Sequence, residues 1–201
     1  MYRPMLRRSR IGSLMVSTER TSNEPIHIRR AVPSDLVGMA RVHVGTWKTT
    51  YRGMVPDDRL EALTVEADIA GGFGSLLREP RPGFGQFVAV TDSNEVVGFA
   101  GGCPNREPDG VYTGELGAIY VLRAFQGLGA GTALVREVVR FLRGEGHTTM
   151  IVWVLEQNPY RRFYEKLGGT FVRKRMGQSR IAGGPVSEIS YGWLDTSELL
   201  P

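Results

Sequence analysis

Glu115-Leu116-Gly117-Ala118-Ile119-Tyr120-Val121-Leu122-Arg123-Ala124-Phe125-Gln126-Gly127-Leu128-Gly129-Ala130-Gly131-Thr132 is the run that decides the fold. It starts as an apolar strand, Glu115 to Val121, passes through a glycine-rich turn, and leads into the strongest helical pattern in the chain. That helix has Leu134, Val135, Val138, Val139, Phe141 and Leu142 on one face and Arg136, Glu137, Arg140 and Arg143 on the other, and it ends at Gly144 and Gly146. A glycine turn at a helix start aims backbone N–H groups outward, where the macrodipole adds roughly +0.5 of a charge. The segment therefore suits a phosphate or pyrophosphate and predicts an anion-bearing cofactor. Two common glycine loops do not fit. No Gly-Lys-Ser/Thr is present for a P-loop, and neither Gly127 nor Gly129 has a third glycine at the dinucleotide offset.

Working outward, the strand after this helix is the apolar run Thr148 to Leu155, short enough to lie buried in a sheet. Pro159 to Leu167 reads as a short helix stopped by Gly168-Gly169, and Thr170 to Met176 and Ser187 to Trp193 as closing strands joined by the glycine-rich Gly177 to Pro185. Before the central run lie two strands, Phe87 to Thr91 and Glu95 to Cys103, around a turn at Asp92-Ser93-Asn94. The alternating Ile26 to Val32 is a further strand. Pro33-Ser34-Asp35 then opens a helix with Leu36, Met39, Ala40 and Val44 at helical spacing. Shorter helical stretches are expected at Asp57 to Leu63 and Glu66 to Arg78. With strands at both ends and helices between, the pattern predicts an α/β domain with a mixed sheet over 25–196, behind a flexible basic leader at 1–24 and before a tail at 197–201.

The chain has 201 residues with 41% hydrophobic and 23% charged, an ordinary globular balance that excludes collagen-like, coiled-coil and fully disordered classes. The net charge of +4 and isoelectric point near 9.5 would suit nucleic acid. However, five arginines against two glutamates place +3 of that charge in the first 24 residues, leaving the body about +1. A body without a basic cluster interleaved with stacking aromatics predicts no nucleic-acid partner. The single cysteine, Cys103, cannot form an intrachain disulfide or a multi-cysteine zinc site and fits a reducing, cytoplasmic setting. His27, His43 and His147 lack metal-ligand spacing and read as structural or surface residues, so no metal is expected. No apolar run approaches the ~20 residues that cross a bilayer, so no membrane partner is expected either. The Arg- and Ser-bearing start superficially suits a transit peptide, and a disordered extension or an upstream false start explains it as well.

The turn Gln126, Gly129 and Gly131 resembles the coenzyme A loop, Gln/Arg-x-x-Gly-x-Gly/Ala, of the GCN5-related N-acetyltransferase (GNAT) superfamily. The downstream Val152-Trp153-Val154-Leu155-Glu156-Gln157-Asn158-Pro159-Tyr160-Arg161-Arg162-Phe163-Tyr164-Glu165-Lys166-Leu167-Gly168 is similar to the strand and short helix that follow this loop in the family. Together the blocks cover about 55 residues in the right order, and flanking strands extend the likeness over about 26–194. The resemblance implies a mostly antiparallel central sheet with splayed central strands. It also implies acetyl-CoA as co-substrate, with pantetheine along Ile119, Tyr120 and Val121 and pyrophosphate on the amides of Gln126, Gly127, Leu128, Gly129, Ala130, Gly131 and Thr132. Main-chain pairing of that kind tolerates almost any side chain. Asn158 has two readings that are compatible: a helix N-cap before Pro159, or a side-chain contact to pantetheine.

By the same resemblance Tyr164 is the acid beside the coenzyme sulfur, while its plain reading is packing with Tyr160 and Leu167 on one helix face. A phenol of pKa ~10 and a thiol of ~8.5 make full proton transfer uphill by roughly 2 kcal/mol, so hydrogen bonding with late transfer is the expected role. An amine of pKa ~10.4 is neutral in only about one molecule in 10³–10⁴ at pH 7, so a proton acceptor is needed. Glu115 matches the position of a general base in relatives. Its alternative is a structural or substrate-orienting role.

Trp47 and Tyr51, four apart on one helical face, read either as core or as walls of an acceptor pocket, the place the resemblance gives the first helices. Arg52 could hold a carboxylate on an amino-acid-like acceptor, whereas Glu115 would suit a polyamine. The leading expectation is transfer of acetyl to the primary amine of a small molecule by direct attack. A protein or peptide amine is the alternative acceptor, and a non-catalytic acetyl-CoA-binding sensor the alternative class. A homodimer is left open.

Overall fold

The α4 helix, Ala130–Gly144, connects two strands that must point the same way, and the rest of the sheet follows from that crossover. In the computed structural model residues 24–71, 77, 81–179 and 182–201 are described. Nearly all of the expected leader, much of the third helical stretch and the tip of the last hairpin lie outside them.

Among the described residues seven strands form one sheet: β1 Ile26–Arg30, β2 Gly85–Thr91, β3 Val96–Pro104, β4 Gly114–Val121, β5 Met150–Leu155, β6 Thr170–Ser179 and β7 Gly184–Trp193. Their order is β1-β2-β3-β4-β5-β7-β6. Neighbours are antiparallel throughout except β4 and β5, which are parallel. The sequence-based strands match these with small changes of length. The last two differ most: β6 and β7 run on into the stretch read as their connection, pairing Gly177 with Val186 and Ser179 with Gly184. The order also places β7 between β5 and β6, so β7 pairs on both sides.

Parallel pairing of β4 and β5 stops after Gly114, Glu115 and Leu116 meet Met150, Ile151 and Val152. β4 continues to Val121 and β5 to Leu155, so their last residues face an opening and not each other. A register shift between Gly101 and Gly102, where β3 meets β4, marks the irregularity that turns β4 away.

Each face of the sheet has its own helical layer. On one, Leu134, Val135, Val138, Val139 and Leu142 of α4 pack on Phe87, Ala89, Val97, Leu116 and Val152. On the other, α1 (Leu36–Thr50) sets Met39 and Val42 against Val88, Val90, Val96 and Phe99. A Cβ at Gly38 would lie 2.7 Å from Val96, so α1 can sit this close only with glycine there. α1 starts as read: Asp35 accepts the Val32 N–H at 2.8 Å and a two-pronged contact from Arg29. Two short helices follow, α2 (Asp57–Glu61) and α3 (Val65–Ala70), and α5 (Arg162–Lys166) lies beyond β5. Where a tail was expected, Thr196–Leu199 forms a 3₁₀ turn with Leu199 buried in the α4 core.

Leu134 is fully buried, so Leu134→Ala is expected to lower the unfolding free energy by about 2–5 kcal/mol. Urea denaturation should show a lower midpoint at unchanged slope; a loss below about 1 kcal/mol would mean that the α4 face is not the core.

Candidate active site

The divergence of β4 and β5 opens a cavity of about 1130 Å³ that runs from the glycine turn, between the strands, to the face of α1. At its first end Gly127 (φ 76°) and Gly129 (φ 85°) are in the left-handed region that glycine adopts without strain. Gly129 is the N-cap of the 15-residue α4, so the following amides have no partner from an earlier turn and face the opening. Gln126 Nε2 donates to the Val121 carbonyl at 2.9 Å, tying the loop to the end of β4. Gly127, Gly129, Gly131 and Thr132 line the cavity; Leu128 is exposed and Ala130 is turned into the core. A polyanionic coenzyme fits this end, because backbone donors and helix polarity concentrate positive potential where side chains do not intrude.

Across the opening, Asn158 performs two tasks. Its Oδ1 accepts from Tyr160 N–H at 2.8 Å, capping the turn Pro159–Arg161, and its Nδ2 donates to the Tyr51 hydroxyl at 2.9 Å. The capping reading is observed, and the amide group also braces the end of α1. Tyr164 of α5 lines the cavity and stacks on Tyr191 with ring centroids 5.9 Å apart. Burial, then the neighbouring Tyr51, pushes its phenol well above the usual range, so it stays protonated at neutral pH. Among the described residues its hydroxyl has no hydrogen-bond partner and can donate into the cavity.

The other half is walled by aromatics. Trp47 packs on Tyr51 at 4.3 Å between centroids, and its Nε1 donates to the Tyr120 hydroxyl at 3.1 Å. Burial pushes the Tyr120 phenol up to about 12. Ile119, Tyr120 and Val121 line the cavity as expected for the strand beside a coenzyme arm. Trp47 and Tyr51 also pack on Val55 and Leu60, so both the core reading and the wall reading hold for them.

Two expectations are corrected. Arg52 does not reach the cavity: its exposed side chain pairs with Glu61 at 2.6 Å and Asp57 at 3.2 Å. Glu115 is 2% exposed and is absent from the cavity wall. Its carboxylate accepts from the Arg106 backbone N–H at 3.1 Å, from Nε, and from Nη2 in a very short contact. A carboxylate engaged this fully has no lone pair aimed at an amine, so in this geometry it anchors Arg106, which does line the cavity. Sequence reading missed Arg106, which lies nine residues from its partner across a loop, and the pair His43 and Asp68, whose Nδ1 and Oδ1 are 2.9 Å apart. It also missed Arg175, which lies 3.7 Å over the Trp153 ring and bonds Glu188. Only His43 left a signal, one turn before Trp47 on the same helical face.

Comparisons with known proteins identify the family. The family model described as "Acetyltransferase (GNAT) family" matches residues 46–169. The chain belongs to that family. A Bacillus subtilis (strain 168) relative, named uncharacterized N-acetyltransferase YuaI, is 36% identical over 176 residues, 87% of this acetyltransferase and 96% of the relative. PaiA N-acetyltransferase from Thermoplasma acidophilum, solved with coenzyme A, superposes with a TM-score of 0.61 at 18% identity, covering 84% of this chain and 99% of that one. YncA from Salmonella typhimurium, solved with acetyl-CoA, gives 0.60 at 23% identity over 85% and 94%. These two share the fold.

In this acetyltransferase, Arg106→Ala should leave the buried Glu115 carboxylate with one backbone N–H but without its guanidinium donors and cost about 1–3 kcal/mol in chemical denaturation. Adding Glu115→Gln should recover part of that loss. Equal stability of Arg106→Ala and the unaltered protein would show that the pair is not an anchor.

Proposed function

We propose that the enzyme transfers the acetyl group of acetyl-CoA to the primary amine of a small molecule by direct attack. The observation that carries this reading is the continuity of one cavity, with helix-terminal amides at one end and an aromatic wall of Trp47, Tyr51 and Tyr120 at the other. An open groove would suit a protein lysine or N-terminus better. Acetyl-CoA is carried over from the Salmonella neighbour and agrees with the anion-binding glycine turn. When bound, it supplies an activated acyl carbon and a thiolate leaving group.

The chain's residues then have distinct tasks. Gln126 to Thr132 hold the pyrophosphate by backbone N–H groups, and the unpaired edge of β4 at Ile119 to Val121 receives the pantetheine. Trp47 and Tyr51 shape the acceptor space and exclude water, so that the amine and the acyl carbon are held together. Tyr164 donates a hydrogen bond to the departing sulfur; its raised pKa makes full proton transfer still less favourable than for a free phenol, so the proton moves late. Direct attack is supported by the state of Cys103, the single cysteine. It does not line the cavity, and burial, then the Glu115 charge, pushes its thiol to about 11. An acyl-cysteine intermediate is therefore not favoured. Among the described residues no helix is long and apolar enough to cross a membrane, and a cytoplasmic setting is proposed.

Thiol release from acetyl-CoA against polyamines, amino acids, aminoglycosides and peptides tests the reading. A small amine should exceed any peptide in kcat/KM; a peptide preference would transfer the role to the protein class. Tyr164→Phe should lower kcat about 10–100-fold with coenzyme affinity nearly unchanged.

A further inference from the structure

We propose that His43, held by Asp68, accepts the proton of the attacking amine. The inference rests on acetyl transfer to an amine and holds whether that amine belongs to a small molecule or to a protein.

His43 and Asp68 both line the acceptor half of the cavity. They come from different elements, α1 and α3, and meet with only 6% and 11% of their side chains exposed, Nδ1 to Oδ1 being 2.9 Å. A carboxylate accepts only, so the Nδ1 proton lies on that bond and the imidazole lone pair lies on Nε2. The same bond fixes the ring plane and the tautomer, the way a carboxylate orients a histidine base. Aromatic rings complete the holder: Tyr120 at 5.0 Å and Trp47 at 5.8 Å, both edge-on.

Position supports the role. Tyr120 hydrogen-bonds Trp47 and feels both the Asp68 carboxylate and the Tyr164 phenol. The proposed base packs on Tyr120, and the proposed acid lines the same cavity. Among the described residues, the groups facing His43 include Asp68 from α3 and the neutral Tyr120 phenol from β4, while β3 presents Val96 and Phe99 to α1. Farther along the cavity wall the cations Arg106 and Arg175 are paired with Glu115, Glu107 and Glu188. Glu115, the other candidate, is closed off by Arg106.

The step balances as follows. The amine lone pair forms a bond to the acetyl carbonyl carbon, and an N–H proton passes to Nε2 of His43. The C–S bond breaks with its electron pair leaving on sulfur, which takes a proton from Tyr164 or water. His43 returns its proton to solvent and Tyr164 is reprotonated, so amine and thioester become amide and thiol.

The test uses the full chain with acetyl-CoA bound. Nitrogen-15 NMR of the histidine rings should find His43 neutral at pH 8 with its proton on Nδ1; the opposite tautomer, or a doubly protonated ring, overturns the proposal without reference to turnover. His43→Asn keeps a donor toward Asp68 and removes the Nε2 lone pair. With the best amine of the acceptor panel it should lower kcat/KM about 100-fold and leave coenzyme affinity unchanged. The slope of log kcat/KM at low pH should fall from about two, for imidazole and amine, to about one, for the amine alone. Activity within about threefold and an unchanged slope overturn the proposal. If no amine of the panel is acetylated, the small-molecule reading fails while His43 is still decided, by the ring tautomer and by the same fall in slow acetyl-CoA hydrolysis, with water as the nucleophile.

Discussion

The parallel contact between β4 and β5 lasts three residue pairs, and the site depends on its ending there. Had pairing continued to Val121 and Leu155, the backbone edge of Ile119 to Val121 would be satisfied within the sheet and no space would separate α1 from α5. The contact is nevertheless long enough to align the two strands, and α4 enforces the alignment by covering both with a continuous apolar face. One helix thus holds the strands together at one end while its own N-terminus sits at the other, where they part. The same element supplies core stability and anion-binding amides.

Electrostatics in the body follow from this arrangement. Arg29, Arg106, Arg143, Arg173 and Arg175 are each paired with a carboxylate of the same chain. Anion recognition is therefore better assigned to the amides after Gln126 than to these side chains, whose charge is locally answered. Pairing also sorts the carboxylates: Glu115 is locked by a guanidinium, which turns it into an anchor, whereas Asp68 is bonded to the imidazole of His43 on the cavity wall. Two buried acids of similar chemistry acquire different tasks from their partners.

Much of this was legible in the sequence because it is locally encoded. The α4 stripe from Leu134 to Leu142, the glycines at 127 and 129, the Asp35 start of α1 and the Asn158-Pro159 cap each depend on a few consecutive residues. The family resemblance added the splayed strands. What was not legible depends on which distant segments meet. The insertion of β7 between β5 and β6 leaves no mark in either strand. Arg106 meets Glu115 only because a loop folds back, and Asp68 meets His43 only because α3 crosses α1. Arg52 misled for the opposite reason: its place next to Tyr51 in the sequence suggested an acceptor contact, but the helix ends at Thr50 and Arg52 turns out to Glu61.

The central claim is that the parted strands and the helix-terminal turn form a coenzyme site read by backbone. A crystal structure of the protein with coenzyme A tests it most directly. The result expected is pyrophosphate oxygens within hydrogen-bond distance of amides between Gly127 and Thr132, with the pantetheine arm alongside Ile119 to Val121. Phosphates held by side chains elsewhere, with those amides left to water, would contradict it.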